Sequence, residues 1–390
     1  MDSEPLLYLD ACAATPPDAE VLARMLERQT RVWANPSSVH PAGIAAAELL
    51  ERSRQRLLNC LGWPDGQVVF TSGGTEADNL AVLGVGRSLS PGRLLISPFE
   101  HPAVSAAASQ LQLEGWQVEI LPLAAHGQVD LLVLEKLLEP PTQMVSIAWA
   151  SSELGTLQPM NEIAELCAAA GVVLHSDAVQ VIGQLPLGRL VPIAPDLLSI
   201  SAHKFQGPRG VGALVLKREI PLRPQLVGGG QESGLRSGTQ SPWLAAALVD
   251  ALERRESQQP ELALQLQILR DGLLNRLVSR SGTTLSGSID LDQRLPHHIS
   301  LLMSNDNGDP LSGRTIVRLL AEHGVGISAG SACSSGQDLP SPSLLACGFS
   351  SRQARSGIRI SLGPWLTSEQ LNGLPGLLES VVSTTAAIGS

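Results

Sequence analysis

The sequence lacks the features of nucleic-acid-binding and membrane-spanning proteins. It has no run of Lys and Arg, and its formal net charge of −10 argues against a nucleic-acid-binding body. No stretch approaches the roughly 20 apolar residues of a membrane span. The acidic residues 1–5 have no basic region followed by a long apolar one, as a signal peptide would. We therefore expect a cytoplasmic protein that binds neither nucleic acid nor membrane.

Cysteine is scarce and scattered. The chain has five cysteines, and no two of them form a Cys-x-x-Cys pair; they are Cys12, Cys60, Cys167, Cys333 and Cys347. An odd number without paired spacing argues against a disulfide framework and against a structural zinc site. This usage is typical of a reducing compartment.

The chain has enough apolar residues to form large buried cores. Hydrophobic residues make up 43% of the chain and charged residues 16%, which excludes a disordered protein. A length of 390 residues exceeds what one core usually supports, so we expect two domains. The predicted large domain covers residues 16–255, and the predicted small domain combines residues 1–15 with 256–390.

Short β-branched runs alternate with helical patterns from about residue 66 onward. The predicted strands of the first part are residues 68–71, 94–96, 118–121, 144–148, 172–174 and 197–200. Such alternation predicts an α/β fold whose mainly parallel sheet is covered by helices on both faces. Residues 243–280 predict one long helix. Beyond it, strands at 283–285, 299–302 and 358–360 alternate with helices and predict a smaller α+β domain.

A single lysine stands between an apolar run and a Gly/Pro turn. Lys204 follows the run 197–200 and precedes Gly207-Pro208. Lysine is rarely buried without a partner, and an amine desolvated at a strand end is a nucleophile that forms Schiff bases. The other interpretation is a lysine whose stem packs on apolar surface while its head reaches water. This stretch alone leaves both open.

A glycine pair follows the first predicted strand. In open α/β sheets, ligands bind at the carboxyl ends of strands, close to helix N-termini. Gly73 and Gly74 let a ligand approach the backbone, and Thr75 adds a hydroxyl at a helix start that favours an anion such as phosphate. An ordinary capped glycine turn is the other interpretation.

Two further strand ends carry titratable side chains. Asp177 ends a buried strand, where a carboxylate is costly unless it is paired; a protonated pyridine nitrogen would suit it. His101 stands at a loop-to-helix junction, where it could stack on an aromatic cofactor or move protons. The alternatives are a helix-capping aspartate and an ordinary surface histidine. Together with Lys204 and the glycine pair, these residues are the parts that hold pyridoxal phosphate.

Nine motifs in order make the chain similar to a known family. They occupy residues 8–17, 35–43, 70–81, 100–104, 175–180, 201–214, 228–239, 328–336 and 358–363. In them the chain resembles the cysteine desulfurases of the NifS/IscS branch, which are class-V aminotransferase-like pyridoxal phosphate enzymes of fold type I. The resemblance implies a large cofactor-binding domain with a mixed sheet of the seven-stranded type, and a smaller α+β domain.

The resemblance implies how the cofactor is held. Lys204 would carry pyridoxal phosphate as a Schiff base, Asp177 would pair with the pyridine nitrogen, and Gln180 would bond the phenolic oxygen. His101 would stack on the ring and move protons. The residues implied to hold the phosphate are Gly74, Thr75, Ser201, His203 and, from the other subunit of an obligate homodimer, Thr239.

The resemblance also implies the substrate and the reaction. Arg359 and Asn35 would bind the carboxylate of L-cysteine, and Cys333 would take its sulfur as a persulfide and release L-alanine. The Gly/Ser-dense segment of about 324–342 predicts a mobile loop in which a cysteine is accessible. A protein sulfur acceptor, such as an iron–sulfur scaffold or a sulfur carrier, would follow.

One departure from the family pattern concerns the site itself. Where the family usually has two asparagines before Glu-x-Gly, this chain has Ser151 and Ser152. Ser152 can donate one hydrogen bond to the cofactor's phenolic oxygen but has a shorter reach, and a weakened bond costs about 0.5–1.5 kcal/mol. Two alternatives therefore stay open. One is a cysteine or selenocysteine lyase that forms no protein persulfide; the other is a weakly active dimeric scaffold homologue.

Overall fold

A mixed sheet of seven strands lies at the centre of the computed structural model, which describes residues 6–190, 195–280, 282–330 and 339–389. The strands lie in the order β2 (Gln67–Thr71), β8 (Gly212–Leu216), β7 (Leu197–Ser201), β6 (Val173–Asp177), β5 (Thr142–Ser146), β3 (Arg93–Ile96) and β4 (Gln117–Ile120). β8 pairs antiparallel with both of its neighbours, and the other neighbours pair parallel. The predicted mainly parallel sheet is confirmed.

Helices cover both faces of this sheet because its strands are apolar on both sides. Along β2, Val68 and Phe70 belong to one buried cluster and Val69 to another, as the two-residue period of a strand requires. The helices of this part are α1 (Ala19–Arg31), α2 (Pro41–Leu61), α3 (Gly74–Gly86), α4 (Pro102–Leu113), α5 (Leu131–Leu137), α6 (Met160–Ala170), α7 (Leu187–Leu190) and α8 (Pro242–Glu256). Among the described residues, no helix is both long and apolar enough to cross a membrane.

A smaller antiparallel sheet forms the second part. Its strands lie in the order β12 (Ser328–Ala329), β13 (Gly357–Ser361), β10 (His298–Met303) and β9 (Thr283–Leu285). Its helices are α9 (Glu261–Val278), α10 (Gly313–Glu322), α11 (Pro342–Ala346), α12 (Ser351–Arg355) and α13 (Leu374–Gly389). The chain start joins this part, since β1 (Leu7–Tyr8) pairs with β11 (Val325–Gly326) and Leu9 lies in its core. The exact domain limits stay a prediction.

The single helix predicted over 243–280 is wrong. The structure has two helices, α8 and α9, separated by four residues that end in Pro260. Proline has no N–H for the helix ladder and its ring clashes with the preceding turn, so it stands at the N-terminus of α9 and not inside a helix. The apolar and charged pattern on both sides of Pro260 hid this break.

The predicted loop of about 324–342 begins with two short strands, β11 and β12, and its last residue starts α11. Cys333 lies outside the described residues, so the loop and its cysteine stay a prediction.

The buried carboxylate of Glu232 fixes the glycine-rich segment 228–239 to the large sheet. It accepts hydrogen bonds from Arg54 Nη1 at 3.0 Å, from the Phe70 backbone N–H at 2.9 Å and from Gln240 Nε2 at 3.0 Å. Arg54 also pairs with exposed Glu51 at 3.2 Å. One arginine therefore has a buried and an exposed acidic partner.

We expect Glu232→Ala to lower the free energy of unfolding by about 3–5 kcal/mol, because it leaves Arg54 and a strand N–H without their buried acceptor. Glu51→Ala, the matched control on the same arginine, should cost less than about 1 kcal/mol. Urea unfolding followed by circular dichroism measures both. Equal losses in the two variants would contradict the structural role of Glu232.

Candidate active site

A cavity of about 520 Å³ opens at the carboxyl edge of the large sheet. Asp177 is the last residue of β6, Ser201 is the last of β7, and Gly74 begins α3, so three strand-to-helix turns meet there. The predicted site residues that line the cavity are Gly74, Thr75, His101, Ser152, Asp177, Gln180, Ser201, His203 and Lys204. The fold thus brings together residues that are far apart in sequence.

Lys204 lines the cavity, and its amine is bound to the backbone of another segment. Its Nζ donates hydrogen bonds to the carbonyl oxygens of Cys12 at 2.5 Å and Ala13 at 3.0 Å. Gln180 Nε2 also donates to the Cys12 carbonyl, at 3.0 Å. The chain start therefore holds the lysine and the glutamine next to each other.

Asp177 provides a buried carboxylate in the same wall. Its Oδ1 accepts a hydrogen bond from the Val179 N–H at 2.9 Å, and the residue is 8% exposed. Burial raises the pKa of Asp177, while the hydrogen bond from Val179 and the electrostatic effects of His101 and Lys204 act in the opposite direction. A cationic ring nitrogen at this position would stabilise the carboxylate further, so Asp177 fits a pyridinium.

Two more carboxyl groups lie in this region, and the sequence patterns did not single them out. Burial and the charge of Asp177 raise the pKa of Asp78 well above its usual value. Burial raises the pKa of Glu100 to about 8, although Glu100 accepts hydrogen bonds from Ser97 Oγ and the Ala148 N–H. Burial therefore favours the protonated form of both groups. Their sequence signal is weak, since Asp78 stands close to the other polar residues Glu76 and Asn79, and Glu100 lies four residues beyond β3.

The N-terminus of α3 forms a cradle that suits a phosphate. A Cβ added to Gly74 would lie 2.9 Å from Val179 Cγ2 and 3.5 Å from Ser201 Cβ, so the backbone must come close here. Ser201 Oγ and His203 Nδ1 share a hydrogen bond of 2.9 Å. Burial lowers the pKa of His203 to about 4, so its ring is neutral at physiological pH. Backbone N–H groups at this helix start, with these side chains, fit an anion.

The two serines at the departure from the family pattern have different positions. Ser151 Oγ accepts from the backbone N–H of Leu154 at 3.1 Å and so closes a turn. Ser152 lines the cavity, and its carbonyl accepts from Arg359 Nη1 at 3.2 Å and from His298 Nε2 at 3.0 Å. Ser152 is therefore the serine available to a bound cofactor.

Among the described residues, three predicted site residues do not line the cavity. Arg359 is 3% exposed and lies behind Ser152, while Asn35 and Thr239 are exposed at the surface. Cys333 is outside the described residues. The roles of these four residues stay predictions.

The family model of class-V aminotransferases matches residues 7–374. The chain is 35% identical over 382 residues to cysteine desulfurase IscS 1 of Archaeoglobus fulgidus, a match that covers 96% of this chain and 98% of the relative. It is 34% identical to cysteine desulfurase IscS of Dictyoglomus turgidum, with 98% and 96% covered. The chain belongs to the cysteine desulfurase family of class-V aminotransferases.

Solved structures agree with this membership. A NifS-like protein superposes with a TM-score of 0.87 at 32% identity, and the match covers 98% of this chain and 99% of that protein. SspA in complex with cysteine superposes with a TM-score of 0.78 at 30% identity, covering 93% and 100%. The family resemblance and the expected α/β fold are confirmed, and members of this family are pyridoxal phosphate enzymes.

We expect Gly74→Ala to weaken binding of pyridoxal phosphate about tenfold or more, because the added methyl must displace Val179 at the phosphate cradle. Reconstitution of the apoprotein, followed by cofactor absorbance, measures the affinity. Gly272→Ala in α9 is the matched control, since nothing lies within 4 Å of its added Cβ. An unchanged affinity in Gly74→Ala would place the phosphate elsewhere.

Proposed function

We propose that this chain is a pyridoxal phosphate-dependent cysteine desulfurase that transfers the sulfur of L-cysteine to Cys333 and releases L-alanine. The observation that carries the proposal is the convergence of Lys204, Asp177, Gln180 and the α3 cradle on one cavity. Membership of the cysteine desulfurase family supports the same reaction.

The residues of the cavity fit the cofactor. Lys204 would anchor it, Asp177 would pair with its ring nitrogen, and Gln180 and Ser152 would bond its phenolic oxygen. Its phosphate would be held by Gly74, Thr75, Ser201 and His203. When bound, pyridoxal phosphate supplies an electron sink for the charge that develops at the α-carbon of the substrate.

Lys204 would serve as the base in the reaction. Two backbone carbonyls hold its Nζ at the cavity wall, from where the amine would take the α-proton of the substrate and later return a proton. His101, which lines the same cavity and caps α4 through its Nδ1, would move protons to or from the substrate.

Cys333 would receive the sulfur. The electron pair of its thiolate forms the new S–S bond, the electron pair of the broken C–S bond stays on the substrate carbon, and a proton completes L-alanine. Burial raises the pKa of the other four thiols: to about 12 for Cys60 and Cys167, to about 11 for Cys347, and in the same direction for Cys12. None of these four supplies a thiolate at neutral pH, which supports Cys333 as the acceptor.

We expect Cys333→Ser to abolish persulfide formation and to reduce alanine formation from L-cysteine at least about a hundredfold, since the attacking thiolate is gone. Alanine and protein-bound sulfur are quantified in the same reaction. Cys347→Ser, which removes a protonated and half-buried thiol, should leave both products unchanged.

Two outcomes would contradict the proposal. Undiminished alanine formation with free sulfide in Cys333→Ser would indicate a cysteine or selenocysteine lyase. A wild-type protein that binds the cofactor but makes no alanine would indicate a scaffold homologue.

We further propose a homodimer in which Thr239 completes the phosphate site of the partner. Thr239 is exposed, and its segment carries exposed Val227, which is 83% accessible. The segment around Asn35 likewise carries exposed Trp33 and Val39, which are 71% and 93% accessible. Apolar side chains exposed next to two predicted site residues support an interface between copies.

We expect Val227→Glu to shift the protein toward monomers and to weaken cofactor retention, because it places a charge in the proposed apolar interface. Sedimentation velocity measures the oligomeric state. Leu113→Glu on α4 is the control, because Leu113 is also 83% exposed but does not flank a site residue. Dimers of unchanged stability in Val227→Glu would contradict this interface.

The persulfide would pass to a protein acceptor, and we propose iron–sulfur cluster assembly as its destination. The relatives named IscS support this use. We also propose the cytoplasm as the setting, supported by four described cysteines that form no disulfide.

A further inference from the structure

The carboxylate of Asp10 links two neighbouring strands beside the active site. Its Oδ1 accepts a hydrogen bond from Arg359 Nη2 at 2.6 Å, and its Oδ2 accepts one from Ser328 Oγ at 2.8 Å. Ser328 and Arg359 are direct partners in the antiparallel pair β12–β13. Both oxygens of Asp10 are thus engaged with this pair.

These contacts determine the orientation of the Arg359 guanidinium. Nη2 is bonded to Asp10 and Nη1 to the Ser152 carbonyl, whereas the buried Nε has no hydrogen-bond partner among the described residues. A guanidinium has five N–H donors, so several remain available for an incoming anion. Ser152 lines the cavity, and Arg359 is therefore one residue away from the cofactor site.

A second acid competes with Asp10 for this arginine. Glu153 is 4% exposed, its Oε1 has no hydrogen-bond partner among the described residues, and its charge acts on Arg359. A buried guanidinium needs a counter-charge. Glu153 is thus a second acidic group whose charge acts on Arg359, in addition to Asp10.

We propose that Asp10 is a positioning residue that holds Arg359 in the orientation that binds the substrate carboxylate. Asp10 thereby selects α-amino acids over amines that lack a carboxylate. This inference rests on the proposed role of Arg359 in substrate binding.

The test compares two ligands that differ only in the carboxylate. L-Alanine and ethylamine are titrated into the cofactor-loaded enzyme, and the absorbance change of the cofactor reports binding. We expect Asp10→Ala to weaken L-alanine binding about ten- to a hundredfold and to change ethylamine binding less than about twofold. Asp10→Asn, which keeps one acceptor oxygen for Arg359, should recover part of the L-alanine affinity.

Asp18→Ala is the matched control. Asp18 pairs with Arg254 at 2.7 Å, and its side chain is 18% exposed against 16% for Asp10. Asp18 does not line the cavity, and it caps α1. Asp18→Ala therefore removes an ion pair of similar exposure and lowers the stability of the protein. It should leave the ratio of the two affinities unchanged.

Four results would overturn the inference. Asp10→Ala could weaken both ligands equally, which means a purely structural role, or it could affect neither ligand. The third result is that Arg359→Ala loses the preference for L-alanine while Asp10→Ala keeps it, which refutes the role of Asp10 alone. An Arg359→Ala variant that keeps the preference refutes the role of Arg359 and, with it, this inference, although cysteine turnover by the wild type would still stand.

Discussion

The contact between the chain start and Lys204 is the constraint on which the site depends. Lys204 follows β7 of the large sheet, but its Nζ is held by the carbonyls of Cys12 and Ala13, which follow β1, a strand paired with β11 beside the small sheet. Since backbone carbonyls cannot move without the chain around them, the lysine is positioned by both parts of the molecule. Arg359 is positioned in the same way, through Asp10. The cavity is therefore a junction and not a feature of one sheet alone.

Burial shifts the pKa values of the titratable groups in the site. Asp177 shares its surroundings with Asp78 and Glu100, and three ionised carboxylates could not be accommodated together in so buried a region. Burial raises the pKa of all three groups, and at Asp177 the neighbouring Lys204 and His101 oppose this shift. A ring cation bound there would lower the pKa of Asp177 and favour its carboxylate. Burial likewise keeps His203 neutral, so that it adds no full positive charge to the phosphate cradle.

Much of this arrangement could be predicted from the sequence, because the carboxyl ends of parallel strands must meet at one edge. That rule alone places Asp177, Ser201 and Gly74 together. The rule could not predict the contact between Asp10 and Arg359. Asp10 follows β1, which has only two residues and whose partner β11 is more than 300 residues away in sequence. The prediction of one helix over 243–280 missed the break at Pro260, because the helical sequence pattern continues on both sides of that residue. Local sequence patterns do not predict contacts between segments that are distant in sequence.

The four protonated thiols have a consequence for the fate of the sulfur. Sulfur bound to sulfur migrates only to a thiolate that attacks it, and rates follow the fraction of thiol that is ionised. Burial raises the pKa of Cys12, Cys60, Cys167 and Cys347. These thiols are therefore poor nucleophiles for attack on a persulfide of the same chain. If Cys333 carries a persulfide as proposed, these four thiols would therefore exchange with it only slowly.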